Sequence, residues 1–280
     1  METDLQAQYP EMLYSNLLAK VHEVLEERLK ALSDTNPAPG GATGSTLAGD
    51  PSEPALSSST AGETSKDGAS TSGKEETPDT HKIFGSSIPN WPIFPDTCDA
   101  LRRLSKHFKL AVLSNVDRDS FRHTHALLSE GPTRDTVTSA LDVYTCPDPN
   151  PNRFWHPQAT PESRSPFTLI LTAQDTGCYK PALGGFLTAL DYIKSQQDLF
   201  GDVANREEIR EKVLSVAQSL PHDHEPASEI GMRSVWIDRQ SAVTCNETPG
   251  GPGAKAKWTW MFETLGEMAD AVEKEVTEGG

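Results

Sequence analysis

The sequence predicts an α/β protein built on an open parallel sheet. Three observations predict it. Short apolar runs of strand length recur at 109–115, 168–173, 213–217 and 233–237. Segments of helical period separate them, and strands alternating with helices give parallel βαβ units. Strand runs that end in small polar or charged residues match sheets whose working residues gather at the carboxyl ends of the strands.

The elements follow in chain order. Pro10 to Leu32 carries Leu13, Leu17, Leu18, Val21, Leu25, Leu29 and Leu32 at helical spacing, with Pro10 suited to a first turn. Asp96 to His107 is a helix with Leu101 and Leu104 inward. KLAVLSN (109–115) is a buried strand. Asp117 caps the next helix, 117–128. TLILTA (168–173) is a strand. A helix from Pro181 places Leu183, Phe186, Leu187, Leu190 and Ile193 on one face. VLSVA (213–217) is a strand, Pro226–Ile230 a short helix and RSVWI (233–237) a strand. A last helix carries Phe262, Leu265, Met268 and Val272.

Polar stretches interrupt this order. From Ser33 to Thr80 the only large apolar side chains are Leu47 and Leu56, and no aromatic occurs. Such a stretch buries too little to offset the entropy of ordering it, so 33–80 reads as a disordered insert. Roughly 230 residues remain, enough for one sizeable core and a small accessory domain. Ser129 to Pro166 is Pro-rich and reads as a long surface loop, docked by Phe154 and Trp155. Ser241 to Lys257, with NETPGGPGAK, reads as another loop.

Composition narrows the function. Asp and Glu number 41 against 25 Lys and Arg, a net charge of -16, which repels phosphate backbones and argues against nucleic acid. No run approaches the ~18 apolar residues of a membrane span, and METDLQAQYP is neither a secretory signal nor a transit peptide. Cys98, Cys146, Cys178 and Cys245 are far apart without a CxxC pair, so reduced thiols and a cytoplasmic location are expected.

The strand ends carry the chemistry. They read Ser114-Asn115-Val116-Asp117-Arg118; then Ala173-Gln174-Asp175 with Tyr179-Lys180-Pro181; then Gln218-Ser219-Leu220-Pro221-His222-Asp223-His224. With YPEMLYSNLLAKVHE, FPDTCDALRRLSKHFKLAVLSNVDR, VAQSLPHDHEPASEIGMRSVWIDR and TLGEMADAV, this ordered set resembles the haloacid dehalogenase superfamily, most closely its 2-haloacid dehalogenase branch of fungal type.

The resemblance implies a Rossmann-like core with a small helical cap. Residues 1–32 would be the cap remnant, 33–80 the insert within it, and 81–280 the core. It implies that Ser114 and Asn115 orient a substrate carboxylate or oxyanion. Lys180 would hold a nucleophilic aspartate by its point charge, and Asp223 would place Lys180 and the hydrolytic water. Ser219 falls in the substrate-binding part of the fourth motif. It also implies hydrolysis of a small acid substrate through an aspartyl ester, with that small molecule, or a second copy in a homodimer, as the partner. No cofactor is implied. Phosphatase members bind Mg²⁺ through paired acids, but Ser219 stands four residues before Asp223 where such an acid would be.

The family's DxxGT nucleophile string does not occur in this sequence. The first core strand is therefore expected to be missing, from an incomplete gene model or a fragment. That strand would lie between 110–114 and 213–217. Without the aspartate no turnover is expected. An Mg²⁺-dependent phosphatase and a non-catalytic interaction protein remain as alternatives. Simpler roles stay open for single residues. Ser114-Asn115 and Asp223 could each cap a helix. His222 and His224, and His123 and His125, read as surface histidines, and Cys178 as a small buried filler. The role of Asp175 is left open.

Overall fold

The computed structural model describes residues 1–35, 79–131, 140–202, 205–239 and 256–279. Helices α1 (Glu2–Gln8) and α2 (Tyr14–Thr35) open the chain, and α3 (Thr80–Gly85) packs along α2. Pro10 lies in the turn between α1 and α2 rather than in one helix running on from it. Its missing N–H and the extended bias it puts on Tyr9 break the helix there. Gly85 lets α3 close on α2, because a Cβ at that position would lie 2.2 Å from the Ser15 carbonyl oxygen. Most of the stretch read as a disordered insert, 36–78, lies outside the described residues.

The core elements then follow in the expected order. They are α4 (Thr97–Leu104), β1 (Leu110–Ser114), α5 (Arg118–Glu130), β2 (Phe167–Thr172), the single turn α6 (Ala173–Thr176) and α7 (Leu183–Ser195). Next come α8 (Gln197–Phe200), α9 (Arg206–Lys212), β3 (Leu214–Ala217), a π-type turn at Leu220–His224 and α10 (Glu225–Glu229). β4 (Arg233–Ile237), β5 (Trp260–Phe262) and α11 (Leu265–Glu278) complete it. Phe262 belongs to β5, not to the last helix. A three-residue strand is too short for periodicity to separate it from the helix that follows. The loop expected at 241–257 falls largely outside the described residues.

All pairings between these strands are parallel, as expected for an α/β fold, and they form two sheets that divide between β1 and β3. β1 pairs with β2, and β3 pairs with β4, which pairs with β5. β2 is buried along its whole length, whereas Leu214 and Val216 of β3 remain exposed. One core lies between β2 and α7, around Leu169, Leu171, Phe186, Leu190 and Ile193. A second lies between β4, α4 and α11, around Leu104, Val235, Ile237 and Met268. Arg239, just past β4, donates to Asp96 at 2.7 Å, and Asp96 also accepts the Gly266 N–H at 3.1 Å. One carboxylate thus gathers the start of α4, the end of β4 and the start of α11.

The loop after α5 is docked as its rings suggest. Phe154 and Trp155 are buried, and the Ile170 N–H donates to the Trp155 carbonyl at 2.9 Å, which covers the outer edge of β2. His125, expected on a surface, is fully buried against the rings of Tyr144 and Trp155, and its Nε2 lies 2.7 Å from Ser165 Oγ. The docked loop covers the helix face that the sequence left open to solvent.

Burial pushes the His125 imidazole down to about 3. The unfolded chain therefore binds a proton that the folded chain refuses, between about pH 6.5 and about pH 3. The stability from neutral His125 is complete above pH 6.5 and is lost as pH falls through that window. Urea unfolding should show wild type losing on the order of 2 kcal/mol more than His125→Gln between pH 7 and pH 4.5. Parallel pH dependences would contradict this.

Candidate active site at the strand ends

β1 delivers Ser114 at its carboxyl end, level in register with Thr172 of β2. Ser114 Oγ accepts the Val116 N–H at 3.1 Å, which turns the chain out of the sheet. Asp117 follows and is buried. One of its oxygens accepts the Ser120 N–H at 2.9 Å and caps α5. The other accepts the Ser15 N–H at 3.0 Å, 102 residues earlier in the chain. The expected cap is therefore also a tether for α2.

The β2 end is closed by Asp175. Its carboxylate accepts the Thr172 N–H at 2.6 Å and the Thr172 hydroxyl at 2.7 Å, and Arg118 Nε donates to it at 2.8 Å. Asp175 is thus a structural clamp between two strand ends. Gly177, at φ 71, then reverses the chain toward Tyr179 and Lys180. Cys178 nearby is half-buried.

Asn115 holds the lysine in place. Its amide nitrogen donates to the Lys180 carbonyl at 3.1 Å, and its amide oxygen accepts the Lys180 N–H at 2.7 Å. So held, the Lys180 side chain runs across the strand ends. Its ammonium donates to the Leu113 carbonyl of β1 at 2.9 Å and to Asp223 at 2.6 Å. Both side chains are mostly buried, at 15% and 13% exposure. An ammonium has three donors, so two are committed among the described residues.

Asp223 sits in the π-type turn after β3. Ser219 caps that turn, and its hydroxyl accepts the His222 N–H at 3.3 Å. Of the two histidines expected on the surface, His222 is half-buried. His224 is fully buried, with Nδ1 2.9 Å from Ser234 Oγ and Nε2 3.0 Å from the Ala217 carbonyl. Burial pulls its pKa below the usual range. On the neutral ring Nε2–H donates to the Ala217 carbonyl, so Nδ1 accepts from the Ser234 hydroxyl; the two bonds fasten the turn to β3 and β4 and leave no lone pair of His224 for a metal.

The structure therefore brings Ser114, Asn115, Lys180 and Asp223 together, with Ser219 in the turn that carries Asp223. Beside them lies a cleft of about 270 Å³, between Met12 and Tyr14 on one side and Asn115, Asp117, Gln174 and Tyr179 on the other. Tyr179 closes its floor, its hydroxyl donating to the Met12 carbonyl. Burial and the Asp117 charge push Tyr179 up to about 12, so it stays a neutral donor. The sequence offered no sign of the ties from Asp117 to Ser15 and from Tyr179 to Met12, because each joins residues more than a hundred positions apart.

The strand-end carboxylates Asp117, Asp175 and Asp223 all accept hydrogen bonds from protein donors. A Mg²⁺ ion wants several free oxygens. Among the described residues Asp117 and Asp175 accept protein donors on both oxygens and Asp223 on Oδ1 alone, so at most one oxygen is left uncommitted, too few to fit the ion.

Replacing Asn115 by Leu removes both bonds to the Lys180 backbone and leaves its partly buried N–H and carbonyl without those partners. Urea unfolding should show a loss of about 2 kcal/mol. A change within about 0.5 kcal/mol, the range of an ordinary surface substitution, would show that Asn115 does not position the lysine.

No protein-family profile matches the chain, and no curated protein does. Solved structures do. A 2-haloacid dehalogenase from Pseudomonas syringae is 18% identical over 70% of this chain and 60% of its own, with a TM-score of 0.37. A HAD phosphatase from Thermococcus onnurineus is 18% identical over 66% of this chain and 60% of its own, with a TM-score of 0.37. A dehalogenase solved with an intermediate complex is 18% identical over 70% of this chain and 65% of its own, with a TM-score of 0.41. The chain thus spans less than two thirds of the length of each. These matching structures, dehalogenases and phosphatases alike, are haloacid dehalogenase superfamily proteins.

Proposed function

We propose that this chain carries the charge-positioning part of a haloacid dehalogenase-type hydrolase acting on a small acid. The observation that supports this most is the Lys180 ammonium, fixed between Leu113 at the end of β1 and Asp223 in the turn after β3. In an α/β sheet that is where substrates bind.

In this reading Lys180 offsets the charge of a nucleophilic carboxylate and orients it. Asp223 fixes the lysine and holds the hydrolytic water. The Ser114 hydroxyl, which accepts from Val116 and still has its own proton to give, donates to the substrate carboxylate. Ser219 shapes the turn that presents Asp223. Asn115 is a positioning residue, since its amide bonds both the N–H and the carbonyl of Lys180. The carboxylate displaces the leaving group at carbon, forming an aspartyl ester. Water then adds to the ester carbonyl, releasing the hydroxy acid and restoring the carboxylate.

The resemblance supplies the nucleophile from an aspartate in a DxxGT string, which this sequence does not contain. The 280-residue chain expressed alone should therefore release neither halide from 2-halopropionates nor phosphate from p-nitrophenyl phosphate. The protein captured from its own cells, by an antibody to residues 265–278, should release halide without added Mg²⁺. The Lys180→Ala version of it should lose at least about 100-fold in kcat, the scale of one electrostatic group at a reacting centre. Phosphate release that depends on Mg²⁺ would favour the phosphatase instead. Full halide release from Lys180→Ala would remove the lysine from the chemistry.

A further inference from the structure

A second group of side chains lies away from the strand ends, between α2 and α3. His22 and Glu26 are four residues apart on α2 and share a face. α3 lays His81 across them. His22 Nδ1 and His81 Nδ1 are 2.8 Å apart, and His81 Nε2 is 3.3 Å from Glu26 Oε2. One ligand atom from each of the three residues lies within 4.8 Å of the other two. None of the three lines the cleft.

The surroundings fix this arrangement. Asp79 caps α3 by accepting the N–H groups of His81 and Lys82 at 3.1 and 3.2 Å. Gly85 allows α3 to approach the backbone of α2. The Phe84 ring stacks on His22, with centroids 4.8 Å apart.

We propose that His22, Glu26 and His81 bind a Zn²⁺ ion. Two imidazole nitrogens in contact can share only one proton, and charging both rings would set like charges together. A cation that takes both lone pairs removes that conflict. Two imidazoles and a carboxylate suit zinc better than Mg²⁺ or Ca²⁺, which take oxygen ligands. Zinc bonds of about 2.0–2.1 Å place tetrahedral ligand atoms about 3.4 Å apart. The two Nδ1 atoms, 2.8 Å apart, open by about 0.6 Å to take the ion, and since one ligand atom of each residue lies within 4.8 Å of the others, no pair closes by more than about 1.4 Å. A water completes the fourth position, as at other sites with three protein ligands. Lys30, which pairs with Glu26, is an exposed i,i+4 partner that an ion displaces easily.

His22 and His81 are 59 positions apart, so the ion clips together the middle of α2 and the start of α3 across a long stretch of chain. Closing a long loop is where such a clip stabilises most.

The test uses the full 280-residue chain, stripped with a chelator and dialysed against ZnCl₂ beside a chromophoric competitor. One zinc per chain is expected. His22→Gln, His81→Gln and Glu26→Gln should each weaken binding at least tenfold, and His22→Gln/His81→Gln should abolish it. His107→Gln, on a distant surface, should change nothing. Zinc should raise the melting temperature of wild type and not of the double variant. Far-UV spectra check that the variants keep their helices. If the double variant loses them, Glu26→Gln, which keeps both rings, decides alone. Zinc below one per chain, or zinc retained at full affinity by the decisive variant, would overturn the proposal.

Discussion

One ammonium group joins the two sheets. Lys180 donates to a carbonyl of β1 and to Asp223 beyond β3, and those strands belong to separate sheets. A mostly buried ion pair of this kind gains little over apolar packing while both partners are present. Losing one partner strands a charge out of water, and that is expensive. The register between the sheets therefore depends on keeping lysine and aspartate together. Asn115 supports this by bonding the N–H and the carbonyl of the lysine, which fixes the point from which its side chain starts.

Other long-range ties build outward from that point. Asp117 and Tyr179 reach back to Ser15 and Met12, and so fasten the N-terminal helices over the strand ends and form the walls of the cleft. Asp96 and Arg239 do the same for the other sheet, drawing α4 and α11 onto β4. His224 pins the turn that carries Asp223 to β3 and β4. Each tie is a buried polar group with its partners supplied, which fixes one arrangement of elements where apolar packing alone would tolerate several.

Much of this was legible in the residues. β1 to β4 and the helices after them follow from short apolar runs and Asp caps, and Ser114, Lys180 and Asp223 meet because all three stand at carboxyl ends of parallel strands. The division into two sheets falls between β1 and β3, where the resemblance put a strand that this sequence does not contain, but the Lys180 contact across it was not legible. His125 and His224 read as surface residues because a histidine between polar neighbours gives no sign of a loop docked above it. Asn115 read as a substrate ligand, yet its amide serves the backbone of Lys180, a contact 65 residues distant that spacing cannot reveal. The approach of His81 to His22 was hidden for the same reason.

The central claim is that Lys180 and Asp223 are coupled through their contact across the sheets. A double-mutant cycle in urea with Lys180→Met, Asp223→Asn and the pair measures that coupling directly. Each single variant should lose about 2–3 kcal/mol, and the double should lose less than the sum by more than about 1 kcal/mol. Losses that add to within about 0.3 kcal/mol would show two independent side chains and contradict the account.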